Sequence, residues 1–330
     1  MMPSPDVTLK QILRPVDRDL AHVTERVLAS LQHPVARQAV YLITAGGKRL
    51  RPALVLLAGR SGRYKARQQA LIELATAVEL IHTATLIHDD IIDGSVLRRR
   101  QPTFHHRFGT ERAVLMGDYL YSLAFSILAK LHEAYVTAFM ADICQQMSCG
   151  EFLEVESRFD VDATEAQYLQ VVRDKTASLI AACCRLGASV AGAKPDTVER
   201  LTQFGWNFGT AFQIMDDCLD LMGQEQTVGK TLRSDLDKGS LSLPVIYLAS
   251  ALPIERREAL FAPLRRNQPP DRLVLARIAR AARRVGAITQ ALHTAGRFVR
   301  RATDVVAERD GVVLADTYQR LARYAIKRVQ

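Results

Sequence analysis

Aromatic residues make up only 6% of this 330-residue chain, which has a single tryptophan. So few stacking side chains, with no nucleic-acid motif, exclude a nucleic-acid reader. Cysteine is scarce as well. The five cysteines (Cys144, Cys149, Cys183, Cys184 and Cys218) form no CxxC pair, which argues against a disulfide scaffold or a zinc ribbon. They read as small core residues in a reducing compartment, and the cytoplasm is the expected location. Apolar–polar alternation is missing, so a strand-rich fold is not expected. Glycine and proline are sparse through the first two thirds, which leaves helices free to run long. No run reaches the ~18 apolar residues expected of a bilayer span. The N-terminus reads as lacking a secretion signal.

What is abundant is apolar side chain, 48% of the chain. Stretches such as DLAHVTERVLASL, AVLMGDYLYSLAFSILAKLH and DKTASLIAACCRLGASVAG have helical spacing. The expected class is all-α, one large helical bundle in a single domain over residues 1–330. The net charge of +9 is concentrated late, as in RRNQPPDRLVLARIARAARR. That segment reads as solvated helix faces, with at most peripheral membrane contact. Gly94 to Phe108 read as a basic loop. Gly223 to Ser242, the longest non-periodic segment, read as a candidate lid.

One acidic pattern occurs twice: Asp89-Asp90-Ile91-Ile92-Asp93 and Asp216-Asp217-Cys218-Leu219-Asp220. Both lie in apolar, helical frames. Thr83-Ala84 and Ile87 precede the first as Thr210-Ala211 and Ile214 precede the second. Residues four apart share a helix face, so the first and last Asp of each copy point the same way. Unpaired carboxylates in an apolar frame are costly, and a divalent cation removes the penalty. Hard oxygen ligands suit Mg²⁺, which keeps several waters and is completed by substrate phosphates. Two such faces are expected to form two walls around one polyphosphate.

Basic groups are placed to meet it. Gly46-Gly47-Lys48-Arg49-Leu50-Arg51-Pro52 sets two glycines before a cationic cluster, without the P-loop spacing. Lys48 and Arg51 share a face if a helix starts there. Arg98-Arg99-Arg100 follow the first acid motif and offer rigid forks to phosphate oxygens. His82 lies two helical turns before Asp89 and is placed to donate to a phosphate. Lys175-Thr176 open an apolar helix, where a lysine opposes the helix dipole. Gln213 shares the second acid face, and Lys230 is placed to close over the site.

Together GGKRLRP, IHTATLIHDDIID, the arginines after it, GDYLYSLAF, DKTASLI, FQIMDDCLD and GKTLRSDLDKGSLSLP resemble the trans-isoprenyl diphosphate synthases, or polyprenyl synthetases. The resemblance runs from about Leu9 to the C-terminus. It implies an all-α bundle around a deep cavity, with Mg²⁺ on Asp89, Asp93 and Asp216. Asp90, Asp217 and Asp220 then support the metals directly or through water. It places the allylic diphosphate on Arg98, Lys175, Thr176, Gln213 and Lys230, and isopentenyl diphosphate on Lys48, Arg51, His82 and Arg99. It also implies a homodimer, or a heteromer with a smaller partner. Relatives usually read Arg-Arg-Gly where this chain has Arg98-Arg99-Arg100.

Short-chain members often carry a bulky aromatic one turn before the first motif. Here Ala84 and Thr85 stand in those positions, so the passage reads as open and the product as longer than C20. Tyr119, Tyr121, Phe125 and Leu128 are candidates for a deeper floor. Two rivals share single features: a terpene cyclase, through the first acid motif, and a His-Asp phosphohydrolase, through His88-Asp89. The first has no need of GGKRLRP, and the second lacks a convincing upstream histidine.

Overall fold

The computed structural model describes residues 8–222, 234–307 and 312–327. Among them the chain is helical, apart from one two-stranded hairpin. The longer helices are α1 (Asp17–Ser30), α2 (Leu50–Gly59), α3 (Tyr64–Ile92), α4 (Thr110–Ala129), α5 (Ala134–Glu156), α6 (Glu165–Val172), α7 (Ser178–Val190), α8 (Pro195–Met222), α9 (Leu243–Ala251), α10 (Ile254–Arg265), α11 (Arg272–Arg284), α12 (Ala287–Ala307) and α13 (Ala315–Lys327). The hairpin pairs β1 (Leu97–Arg98) with β2 (Gln101–Pro102). A π-helical turn, Arg173–Ala177, lies between α6 and α7.

Two compact units are present. The first holds residues 1–142, 180–205 and 305–321; the second holds 143–179, 206–304 and 322–330. In the first unit α2 is apolar all round, and every residue except Arg51 is buried. Such a helix belongs in an interior. Close approach is made possible by small residues. A Cβ at Gly187 of α7 would lie 2.3 Å from the carbonyl oxygen of Val55, so only glycine admits α2 there. The second unit has its own core, with Ile214, Met215 and Cys218 of α8 packed among apolar residues of α9, α10, α11 and α12.

Three sequence expectations change here. Gly94 to Phe108 are not a plain loop but the β1–β2 hairpin followed by a short helix, Phe104–Phe108. α3 does meet the length and hydropathy of a membrane span, with 72% of that window buried inside the fold. Finally, Cys183, Cys184 and Cys218 are buried as expected, whereas Cys144 is half-buried and Cys149 exposed on α5. Burial pushes the thiol pKa of Cys183 and Cys218 up to about 12, so both stay protonated.

Candidate active site

The first acid motif closes α3. Asp93 caps the helix, and its backbone N–H donates to the carbonyl of Asp89 at 2.8 Å. Asp89 and Asp93 are half-buried, but Asp90 is only 2% exposed. Arg98 Nε donates to both Asp90 oxygens, at 2.8 and 3.0 Å, and Arg98 Nη2 lies 2.7 Å from Oδ1. Asp90 therefore anchors the hairpin through a two-pronged ion pair. The family resemblance assigned Asp90 to the metals and Arg98 to the allylic diphosphate. The structure turns them toward each other.

The hairpin turn is formed by Arg99 (φ +52°) and Arg100 (φ +63°). Positive φ at both central residues is the two-residue type I′ geometry, which favours Asn and Gly. Here two arginines adopt it. Arg99 Nη1 donates to the carbonyl of Gly46, and a Cβ at Gly47 would lie 2.7 Å from that nitrogen. A side chain at position 47 would therefore push the end of Arg99 aside.

Around it the GGKRLRP segment builds a cationic cradle. α2 begins at Leu50, so Lys48 lies outside the helix, exposed, and does not share a helix face with Arg51 as expected. Arg49, with left-handed backbone (φ +47°), pairs with Glu79 and donates to the carbonyl of Ile43. Glu79 on α3 is 7% exposed, and the sequence reading missed it. A lone acid inside the apolar run ATAVELIHTA was the available signal. Burial raises the Glu79 pKa, opposed by Arg49, Arg51 and Arg99. Arg51 Nη1 lies 3.1 Å from His82 Nε2. A guanidinium only donates, so Nε2 accepts and the imidazole is neutral with its proton on Nδ1. Burial pushes the His82 pKa well below its ordinary value, and Arg51, Arg99, Arg98 and Arg49 push the same way. Arg99 itself is depressed by burial, though Glu79 opposes the shift. Four arginines thus gather around two carboxylates, Glu79 and Asp90. An anion relieves that crowding.

The second unit repeats the pattern on α8. Asp216 and Asp220 are half-buried, and Asp217 is 6% exposed. Asp217 accepts from Tyr168 Oη at 2.6 Å and from Gln213 Nε2 at 2.8 Å; Thr176 Oγ1 in turn donates to Gln213 Oε1 at 3.1 Å. Thr176 and Gln213, expected on the substrate, hold the middle aspartate in this structure. The frames also match in detail. Thr83 Oγ1 donates to the carbonyl of Glu79 at 2.8 Å, and Thr210 Oγ1 to that of Trp206 at 2.9 Å. Ala84 and Ala211 are fully buried, as are Ile87 and Ile214 to within 1%.

Lys175 does not open a helix. It sits in the π turn Arg173–Ala177, an element frequent at functional sites. The dipole argument for it therefore falls. Its ammonium rests on Glu154 and, at 2.6 Å, on Glu151 Oε2. The turn is fixed by Asp174, 7% exposed, which accepts from Gln146 at 2.7 Å and Gln170 at 2.6 Å. A Cβ at Gly150 would lie 2.5 Å from the backbone nitrogen of Lys175. None of these supporting residues was singled out in the sequence. Lys230 lies outside the described residues.

Among the described residues no three His, Cys, Asp or Glu side chains converge to hold an ion unaided. Each acid face instead offers two half-buried carboxylates four residues apart. That donor set fits a hard cation whose remaining ligands are water and substrate phosphate. As for product length, Ala84 is fully buried, while Thr85 is half-buried with its hydroxyl on the His82 carbonyl at 2.8 Å. Tyr121, Phe125 and Leu128 share a stripe on α4; Tyr119 points elsewhere, toward the ring of His33 at 6.2 Å.

Comparison with known proteins places this arrangement. The family model for polyprenyl synthetase matches residues 32–295. The chain belongs to the polyprenyl synthetase family. As a member it is a prenyltransferase of isoprenoid biosynthesis, with the all-α isoprenoid synthase fold and prenyl diphosphate substrates. This polyprenyl synthetase is 37% identical over 297 residues to heptaprenyl diphosphate synthase component 2 of Geobacillus stearothermophilus, covering 89% of this chain and 91% of that one. It is 35% identical over 244 residues to octaprenyl diphosphate synthase of Haemophilus influenzae, covering 73% and 74%. Its fold matches a polyprenyl synthase from Caulobacter crescentus, solved with calcium and isoprenyl diphosphate, at TM-score 0.90 and 31% identity over 98% and 99% of the chains.

Proposed function

We propose that this polyprenyl synthetase condenses an allylic diphosphate with isopentenyl diphosphate, using Mg²⁺, to give an all-trans polyprenyl diphosphate longer than C20. The observation that carries the reading is the duplicated acid face. In each copy the middle aspartate is buried and held by protein donors, and its neighbours remain half-buried. Asp89, Asp93 and Asp216 are the proposed Mg²⁺ ligands, with Asp220 supporting. When bound, Mg²⁺ supplies positive charge against the diphosphate leaving group.

The cradle of Lys48, Arg51, Arg99 and His82 takes the diphosphate of isopentenyl diphosphate. Arg51 and Arg99 donate forked hydrogen bonds, and neutral His82 donates through Nδ1–H. Lys175, Thr176, Gln213, Arg98 and Lys230 serve the allylic diphosphate. As its C–O bond breaks, the charges of Lys175, Arg98 and Lys230 offset the growing negative charge, while Thr176 and Gln213 supply neutral hydrogen-bonding groups. The allylic carbon is then joined by the double bond of isopentenyl diphosphate. A proton passes to the released diphosphate, since no side-chain base is evident among the described residues. Water must be kept away, or the allylic cation ends as an alcohol.

The single family match over residues 32–295 runs through both units, which supports one catalytic domain over 1–330. Small side chains at Ala84 and Thr85 support the long product, as do relatives named heptaprenyl and octaprenyl diphosphate synthase. A geranylgeranyl diphosphate synthase of Methanosarcina mazei, 39% identical over 62% of the chain, keeps a C20 product as the second reading. We further propose a homodimer in the cytoplasm, consistent with five free thiols. The relative named component 2 favours testing a heteromer beside it. The deciding experiment is mass analysis of the product formed by the purified chain with Mg²⁺, an allylic primer and excess isopentenyl diphosphate. A polyprenyl diphosphate longer than C20 supports the reading. Arrest at C15 or C20 overturns the length, and no product from the chain alone overturns self-sufficiency.

A further inference from the structure

Almost all of the chain's net charge lies in one stretch. Residues 251–307 hold twelve arginines, no lysine and four carboxylates (Glu255, Glu258, Asp271 and Asp304), a net of +8 out of +9. These residues include α10, α11 and all of α12, and all but the last three of them lie in the second unit. The inner side of α11 is committed to the core, where Leu275, Ile278, Ala279 and Ala282 are buried. Its outer stripe consists of Leu273, Arg277, Arg280 and Arg284, spaced i, i+4, i+7 and i+11 and exposed throughout. That stripe is about 17 Å long at 1.5 Å per residue.

The carboxylates nearby do not neutralise it. Asp162 and Glu258 are taken by Arg257 and Arg265. Asp271 caps α11 by accepting from the Val274 N–H at 2.8 Å. Among the described residues no carboxylate lies within ion-pair distance of Arg272, Arg277, Arg280 or Arg284. The region also holds the two most exposed large apolar side chains described, Ile254 at 77% and Leu273 at 75%. A solvated helix face needs charge but gains nothing from an exposed leucine within an arginine stripe. A surface that meets anionic head groups and the acyl boundary gains from both.

We propose that the outer face of α11, with the start of α10, docks the enzyme on an anionic lipid surface. Charge complementarity carries the choice: arginine forks suit phosphodiester head groups, and Arg277, Arg280 and Arg284 stand exposed in one stripe of α11. The docking also suits the chemistry, because a long polyprenyl diphosphate is itself an anionic lipid that belongs in such a surface.

The test is co-sedimentation of the full-length protein with vesicles of phosphatidylcholine alone, and with vesicles containing about one third phosphatidylglycerol. Binding is expected only to the second kind, and it should fade as added salt shortens the Debye length. Arg277→Gln, Arg280→Gln and Arg284→Gln combined should weaken partitioning about fivefold per arginine, roughly a hundredfold in all. Leu273→Ser should weaken vesicle binding but leave binding to a single-stranded RNA homopolymer unchanged. Turnover on short soluble substrates should be unaltered in every variant, which separates this proposal from the catalytic reading. If the triple variant fails to fold, Leu273→Ser and the salt series on the parent still decide. Equal binding to both vesicle types, a triple variant that binds like the parent, or tighter binding to RNA than to anionic vesicles at equal salt would each overturn the proposal.

Discussion

Arg98 grips Asp90 with two nitrogens, Nε within 3.0 Å of both carboxylate oxygens and Nη2 2.7 Å from one of them. This separates the acids of the first motif into one buried anchor and two that stay half-buried. Asp90→Asn should lower stability by about 2–3 kcal/mol, because it strips a nearly buried pair of one charge. Asp89→Asn and Asp93→Asn should leave stability within about 0.5 kcal/mol, as partly exposed substitutions usually do, while turnover falls by orders of magnitude. Thermal melts beside initial rates check the contrast. A stable Asp90→Asn enzyme would show that the pair carries little of the fold.

The cradle predicts an asymmetry between substrates. Arg51→Gln should raise KM for isopentenyl diphosphate about ten- to a hundredfold, the worth of one charge-assisted hydrogen bond. KM for the allylic substrate should move much less. Lys48→Gln should act in the same direction more weakly, because Lys48 is exposed. Steady-state kinetics with each substrate varied in turn provide the measurement, and equal effects on both would contradict the assignment.

His82 should make stability depend on acid. Its folded-state pKa is depressed, so below its unfolded value of about 6.5 the unfolded chain binds the extra proton and the folded chain does not. Stability contributed by the neutral ring is therefore complete above about pH 7 and declines as pH falls below 6.5. Urea midpoints between pH 8 and pH 5.5 should drop less in His82→Gln than in the parent. Parallel curves would place the acid sensitivity elsewhere.

Arg100 holds a left-handed conformation that glycine adopts without steric cost. Arg100→Gly should stabilise the protein by about 1 kcal/mol, the usual penalty for an L side chain at that φ. The change in urea midpoint at constant slope reads it directly.

Product length should respond to position 85 more cleanly than to position 84. Thr85→Phe puts an aromatic at a half-buried site and should shorten the product towards C15. Ala84 is fully packed, so Ala84→Phe should instead cost about 1–3 kcal/mol through overpacking. Product chromatography and melting curves on the two single variants separate the effects.

Much of this protein follows from its sequence alone. The helical class, the duplicated acid motif and the cationic GGKRLRP segment were legible, because helical periodicity and i, i+4 spacing are local properties; the family was legible through the resemblance those ordered motifs carry. The matching hydroxyl–carbonyl bonds of Thr83 and Thr210 show how far a local pattern reaches. Tertiary structure decided which charges oppose which. Glu79 meets Arg49 across 30 residues, Tyr168 meets Asp217 across 49, and Lys175 meets Glu154 across 21. Nothing in the spacing of one segment reports the partner that a different helix brings to it. For the same reason the sequence could place Asp90, Arg98, Gln213 and Thr176 at the site, but only packing could turn Arg98 onto Asp90 and Thr176 onto Gln213. Burial makes an unpaired charge costly, and so the fold, not the motif, chose the partners.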